Sequence, residues 1–119
     1  MKTLTLNVAK TLKGKRIRYS AEGYDRTYSG ELTAGEIVSE WDYYKTQPCP
    51  GYPSRTAEWE TWMRPERIRE AKNKLILLDE EGNNKHYIYC YLNSRFFNED
   101  TFTLSDADRE VFYEEIEEE

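Results

Sequence analysis

Histidine and cysteine are scarce in this chain of 119 residues, with one of the first and two of the second. Two cysteines, Cys49 in a proline-rich stretch and Cys90 in an expected strand, are too few for a disulfide scaffold. They read as free thiols of a reducing cytoplasm. His86 stands alone and neither cysteine has a partner at ligand spacing, so no metal centre is expected, and no cofactor. No apolar run is long enough to span a bilayer; the longest, Leu75 to Leu78, is one strand. Met1-Lys2 leads into alternating Thr and Leu, not into the hydrophobic core of a signal peptide. Gly23, Gly30 and Gly35 sit in turn or bend contexts and build no phosphate-cradling loop. Carboxylates abound, but no spacing marks a catalytic pair. A Cys–His nucleophile would need His86 beside Cys49 or Cys90. No enzyme is expected.

The charge balance points the same way. A formal net charge of −6 disfavours nucleic acid as a partner, because phosphate neutralisation dominates that affinity. Lys10, Lys13, Lys15, Arg16 and Arg18 form the one local basic group, and it reads as a solvated strand face. Glu110, Glu114, Glu115 and Glu117 to Glu119 make an acidic tail. An acidic surface imitating DNA is one use for such a tail; ordinary solvation is the other.

What the chain has in quantity is aromatic rings: ten Tyr, three Trp and four Phe. Most of them alternate with Arg, Lys, Glu and Asp rather than with Leu and Ile. Rings of this kind fill a small core and leave polar edges at the surface, where they suit flat or protein partners. The apolar residues run along the whole sequence, so the chain is globular rather than disordered, and its length fits one domain over 1–119.

Periodicity predicts an α+β fold. It is a bent antiparallel sheet of about five strands with two or three short helices, or alternatively a small β-barrel with added helices. Residues 3–14 fit two readings, a strand from the alternation of Thr3-Leu4-Thr5-Leu6 and a helical turn over 7–13 capped by Gly14, of which the helical turn is expected. Strands are expected over 15–21, 26–33 and 36–44, with a bulge or bend at Gly30 and Gly35. Residues 46–56 hold Pro48, Pro50 and Pro53 and read as a long loop. Helices are expected after Thr56 and over 66–73. Leu75 to Asp79 and Lys85 to Leu92 flank a Gly/Asn turn and form the clearest hairpin. Phe102 to Leu104 reads as a last strand. Ser105 followed by Asp108 is a helix-start signal, and Ala107/Val111 and Phe112/Ile116 fit a helix over 106–116, with a strand there left open.

The sharpest constellation lies between 87 and 113. Tyr87, Tyr89 and Tyr91 alternate along one strand, and Asn93, Arg95 and Phe96 follow at its end. Asp108 and Arg109 open the expected last helix, where a cation gains nothing from the dipole and needs another reason to be present. An anion held between Arg95, Arg109 and backbone amides, with a planar base on Phe96 or Tyr91, would supply one. Packing of the tyrosines against Trp59 and Trp62, with Arg109 paired to Asp106 or Glu110, satisfies the same pattern. An acidic chain of this size, with aromatic and Arg positions ahead of Ser105-Asp106-Ala107-Asp108-Arg109, resembles the phage anti-Thoeris sponge proteins. Those proteins sequester cyclic ADP-ribose-type signals without cleaving them. The resemblance implies a homo-oligomeric, cytoplasmic binder of a small nucleotide ligand. Arg109 would hold its phosphates and Phe96 or Phe97 its base, with Asn93 carried over beside them. No membrane association is implied. A protein-binding inhibitor or adaptor is the second expectation.

Overall fold

In the computed structural model the described residues are 1–23, 25–46, 64–92, 100–104 and 110–117. They form one antiparallel sheet with three helices, an α+β fold as expected. In chain order the elements are β1 (Lys2–Thr3), α1 (Leu6–Thr11), β2 (Arg16–Glu22), β3 (Thr27–Ser39), α2 (Glu40–Lys45), α3 (Pro65–Lys72), β4 (Lys74–Asp79), β5 (Ile88–Tyr91), β6 (Phe102–Leu104) and β7 (Phe112–Glu115). The strand order is β1-β7-β2-β3-β4-β5-β6, seven strands rather than about five. The ladders leave the sheet unclosed. Its two ends are nonetheless stitched by backbone bonds, Phe102 N to Leu4 O at 3.0 Å and Val111 N to Phe102 O at 3.0 Å.

β2 follows from simple alternation: Ile17, Tyr19 and Ala21 are buried, while Arg16, Arg18 and Glu22 are exposed. Helix α1 starts where the Thr5 hydroxyl accepts from Val8 N at 3.4 Å. It ends on Leu12 rather than on a glycine, and Gly14, with φ 82°, lies two residues further on. The core between sheet and helix is built from Leu4, Leu12, Ile17, Ile88, Phe102 and Val111, all fully buried.

Three expectations need correction. Residues 26–44 are not two strands. β3 runs unbroken for 13 residues, with a register shift between Ala34 and Ile37. Its first half pairs with β2 and its second with β4. The chain then turns into α2, because Ser39 Oγ accepts from Asp42 N at 3.0 Å and caps a helix at that point. Second, 106–116 is not a helix through to its end, since Phe112–Glu115 is strand β7, wedged between β1 and β2. The i,i+4 apolar pairs were equally compatible with alternation, and Tyr113 buries while Glu114 and Glu115 stay out. Third, Tyr87 and His86 are not in a strand. Tyr87 has φ 51° and is 55% exposed, and the two lie in the 80–87 connection between β4 and β5.

β7 also disposes of the basic face. Arg18 donates to Glu31 at 3.0 Å and to Glu114 at 2.8 Å, and Arg16 donates to Glu31 at 3.0 Å. Lys15 reaches Glu115 at 3.3 Å, and Lys13 pairs with Glu36. The exposed face of β3, β2 and β7 is thus a cross-strand charge ladder running Glu31, Arg18, Glu114.

Candidate functional site

Beyond that ladder, α2 and α3 pack against β4 on the face turned away from the main core. Alternation along β4 sends Leu77 into the main core. Ile76 and Leu78 turn to the other face, where they pack with Tyr89, Val38 and Tyr43. Lys74 shares that face and buries almost completely, at 8% exposure. A buried lysine requires a partner. Glu40, the first residue of α2 and 2% exposed, provides it: Glu40 Oε2 lies 3.2 Å from Lys74 Nζ.

The lysine also rests on aromatic faces. Its ammonium sits 3.9 Å from the ring centre of Tyr89 and 5.0 Å from that of Tyr91. Tyr89 and Tyr91 are two apart on β5, so both rings fall on the Lys74 face, while Cys90 between them enters the core. Burial works against the ammonium. The Tyr91 hydrogen bond and the Glu40 charge outweigh it and hold Lys74 above the ordinary lysine range. The remaining Glu40 oxygen, Oε1, lies 3.2 Å from Arg67 NH2 on α3. Among the described residues it accepts no well-directed hydrogen bond, and the same guanidinium nitrogen donates to the Tyr44 hydroxyl, 2.8 Å away. Desolvation opposes the Arg67 charge as well, but Glu40, Tyr44 and Glu70 raise it overall.

A polar chain of contacts continues outward. Tyr43 OH accepts from Asn84 N at 3.5 Å, and Asn84 Nδ2 donates to Tyr89 OH at 3.1 Å. Trp41 is buried beneath α2, with Lys45 and Lys72 at 5.6 and 5.7 Å from its ring. The result is an ionic and aromatic cluster, Glu40, Lys74 and Arg67 among Tyr43, Tyr44, Tyr89 and Tyr91. It can hold charge out of water and present ring edges. It offers no activated nucleophile. Cys90 is fully buried, and burial, with Asp100 adding to it, pushes its thiol up to about 11. His86 Nδ1 is bonded to Tyr19 OH at 3.0 Å, and desolvation lowers its proton affinity.

Of the site residues expected from sequence, Tyr91 is in this cluster. Asn93, Arg95, Phe96, Asp108 and Arg109 lie outside the described residues, as do Trp59 and Trp62. The described flanks of those segments stand apart. β5 ends at Tyr91, and Leu92 N bonds Asn73 O at 2.8 Å. β6 runs antiparallel to it, so Leu104 lies beside Ile88 at the opposite end of the pair. Glu40, Arg67 and Lys74 were missed. Their signal was faint: a glutamate directly after a Ser cap, and a lysine opening an otherwise apolar strand.

No family model matches the chain, and neither a curated protein nor a solved structure matches it.

Proposed function

We propose that this chain is a non-catalytic binder that sequesters a small nucleotide signal of the cyclic ADP-ribose or cyclic oligonucleotide kind, in the manner of a counter-defence protein. One observation carries the reading. The Lys74 ammonium lies on the rings of Tyr89 and Tyr91, with the half-exposed Arg67 guanidinium nearby, at the strand end that leads into Asn93, Arg95 and Phe96. Lys74 and Tyr89 are buried and hold the wall, while the half-buried Tyr91 ring and the Arg67 guanidinium are the ring and cation that a planar base joined to phosphate could reach. The reading includes a homo-oligomer in the cytoplasm of a host cell.

Protein incubated with cyclic ADP-ribose isomers and cyclic dinucleotides should deplete at least one from solution and release it intact on heating. Arg109→Ala should weaken that binding by about 1.5–3 kcal/mol, the worth of a lost charge-assisted contact. No heat of binding across the panel, or a ligand recovered hydrolysed, defeats the reading.

The second reading, a protein-binding inhibitor or adaptor, draws on the open grooves of the described surface. One of about 330 Å³ lies between α1 and the β3–β4 pair, and one of about 140 Å³ lies beside the 80–87 connection. Its DNA-mimic form loses ground, since Glu114 and Glu115 are engaged by Arg18 and Lys15.

A further inference from the structure

Among the described residues, the first half of β3 has a partner on one side only. Between Thr27 and Thr33 it pairs with β2, and the β4 ladder begins only at Ala34. Which backbone groups face the open side follows from the hydrogen-bond phase. Ala34 N donates to Lys15 O at 3.0 Å, so Ala34 points at β2. Antiparallel pairs alternate; Leu32, Gly30 and Tyr28 therefore also point at β2. Thr33, Glu31, Ser29 and Thr27 turn their N–H and C=O groups away from it. The β2–β7 bonds agree in phase, since Ile116 N donates to Arg16 O, across from Thr33. No backbone bond among the described residues takes up the outward groups of Ser29 or Glu31, and Thr27, Ser29 and Glu31 are solvent-exposed.

An open edge of this kind is a template for another strand. Proteins commonly blunt such edges with lysine or proline, and this stretch, Thr-Tyr-Ser-Gly-Glu-Leu-Thr, contains neither. The charge pattern selects the occupant. Across the sheet the exposed row reads Glu114, Arg18, Glu31, minus then plus then minus. The next position outward, beside Glu31, is the empty one, and alternation calls for a cation there. The end of β4 and the connection after it add Asp79, Glu80 and Glu81 to the rim, against Lys85. A second copy of β3 placed with its two-fold axis at Glu31 would set like charges opposite each other.

We propose that the Thr27–Thr33 edge of β3 is a strand-addition site for an extended peptide carrying Lys or Arg opposite Glu31, flanked by apolar residues on the inner side. The backbone bonds supply affinity, and the cation supplies register and selectivity.

The test uses the intact protein and a short synthetic peptide of alternating valine and lysine, with an alternating valine and glutamate peptide as control. In the free protein the amides of Ser29 and Glu31 should exchange rapidly with deuterium, and those of Tyr28, Gly30 and Leu32 slowly. The lysine peptide should protect Ser29 and Glu31; the glutamate peptide should not. Ser29→Pro removes an outward N–H while leaving the β2 pairing intact, and should weaken peptide binding about tenfold or more. Glu31→Gln should narrow the preference for lysine over glutamate. Slow exchange at Ser29 and Glu31 in the free protein would overturn the proposal, because the edge is then already covered, by a second copy if the protection rises with concentration. Equal binding of both peptides, binding unchanged by Ser29→Pro in a folded variant, or no protection by either peptide would overturn it as well.

Discussion

Glu40→Gln tests the cluster most directly, because the substitution keeps the shape of the side chain and deletes its charge. In the native protein Glu40 Oε2 is 3.2 Å from Lys74 Nζ. At an effective dielectric of 20 that separation corresponds to a gross attraction of about 5 kcal/mol. The pair is buried, so much of this gain offsets desolvation. The loss on truncation is set by what remains behind, a lysine at 8% exposure resting on the rings of Tyr89 and Tyr91. Breaking such a pair costs about 3–5 kcal/mol. The Arg67 contact is discounted, because that side chain is 41% exposed and solvent screens it. Urea unfolding at pH 7 should therefore show a loss of about 3 kcal/mol. Lys74→Met should cost less in the Glu40→Gln background than alone, since no unpaired charge is then left buried. The pH dependence gives an independent check. In the native protein Lys74 is held above its unfolded value, so its contribution is fully present below pH ~10.4 and lost as pH rises through the higher folded value. Without Glu40, burial is opposed mainly by Tyr91, the folded value drops, and the variant should instead gain stability relative to the native chain as pH approaches 10. Additive effects of the two substitutions, or a pH profile parallel to that of the native protein, would refute this account of the cluster.

Two further outcomes follow from the fold. Gly35→Ala would drive its new methyl into the Asp79 carbonyl oxygen at the register shift of β3. A loss of about 1–3 kcal/mol is expected by calorimetry, and an unchanged melting temperature would show that the bend can relax. His86 has its folded proton affinity lowered by burial, so its neutral form is the one the fold prefers. Its contribution is complete above pH ~6.5 and falls as pH drops through that value toward the folded one. His86→Gln should flatten the stability profile between about pH 7 and 5, and a slope that persists in the variant would assign it to other groups.

Much of the frame was fixed locally. The alternation of Ile17, Tyr19 and Ala21 dictates β2, Thr5 caps the helical turn expected near residue 7, and the apolar run at Leu75 to Leu78 with its Gly/Asn turn announces the β4–β5 hairpin; Ser39 caps α2 in the same local way, a start that the strand expected over 36–44 passed over. Each of these signals comes from a side chain acting on its own backbone or from a single amphipathic period. The C-terminal segment was decided otherwise. Its residues fit a helix and a strand equally well, and what settles the matter is the slot between β1 and β2, where Glu114 meets Arg18 from 96 residues away in sequence. The same holds for Lys74. Its position at the head of β4 is plain in the chain, but its burial depends on a carboxylate from α2 and two rings from β5 arriving on one face. Local chemistry chooses elements; only the assembled sheet determines which charges lose their water together.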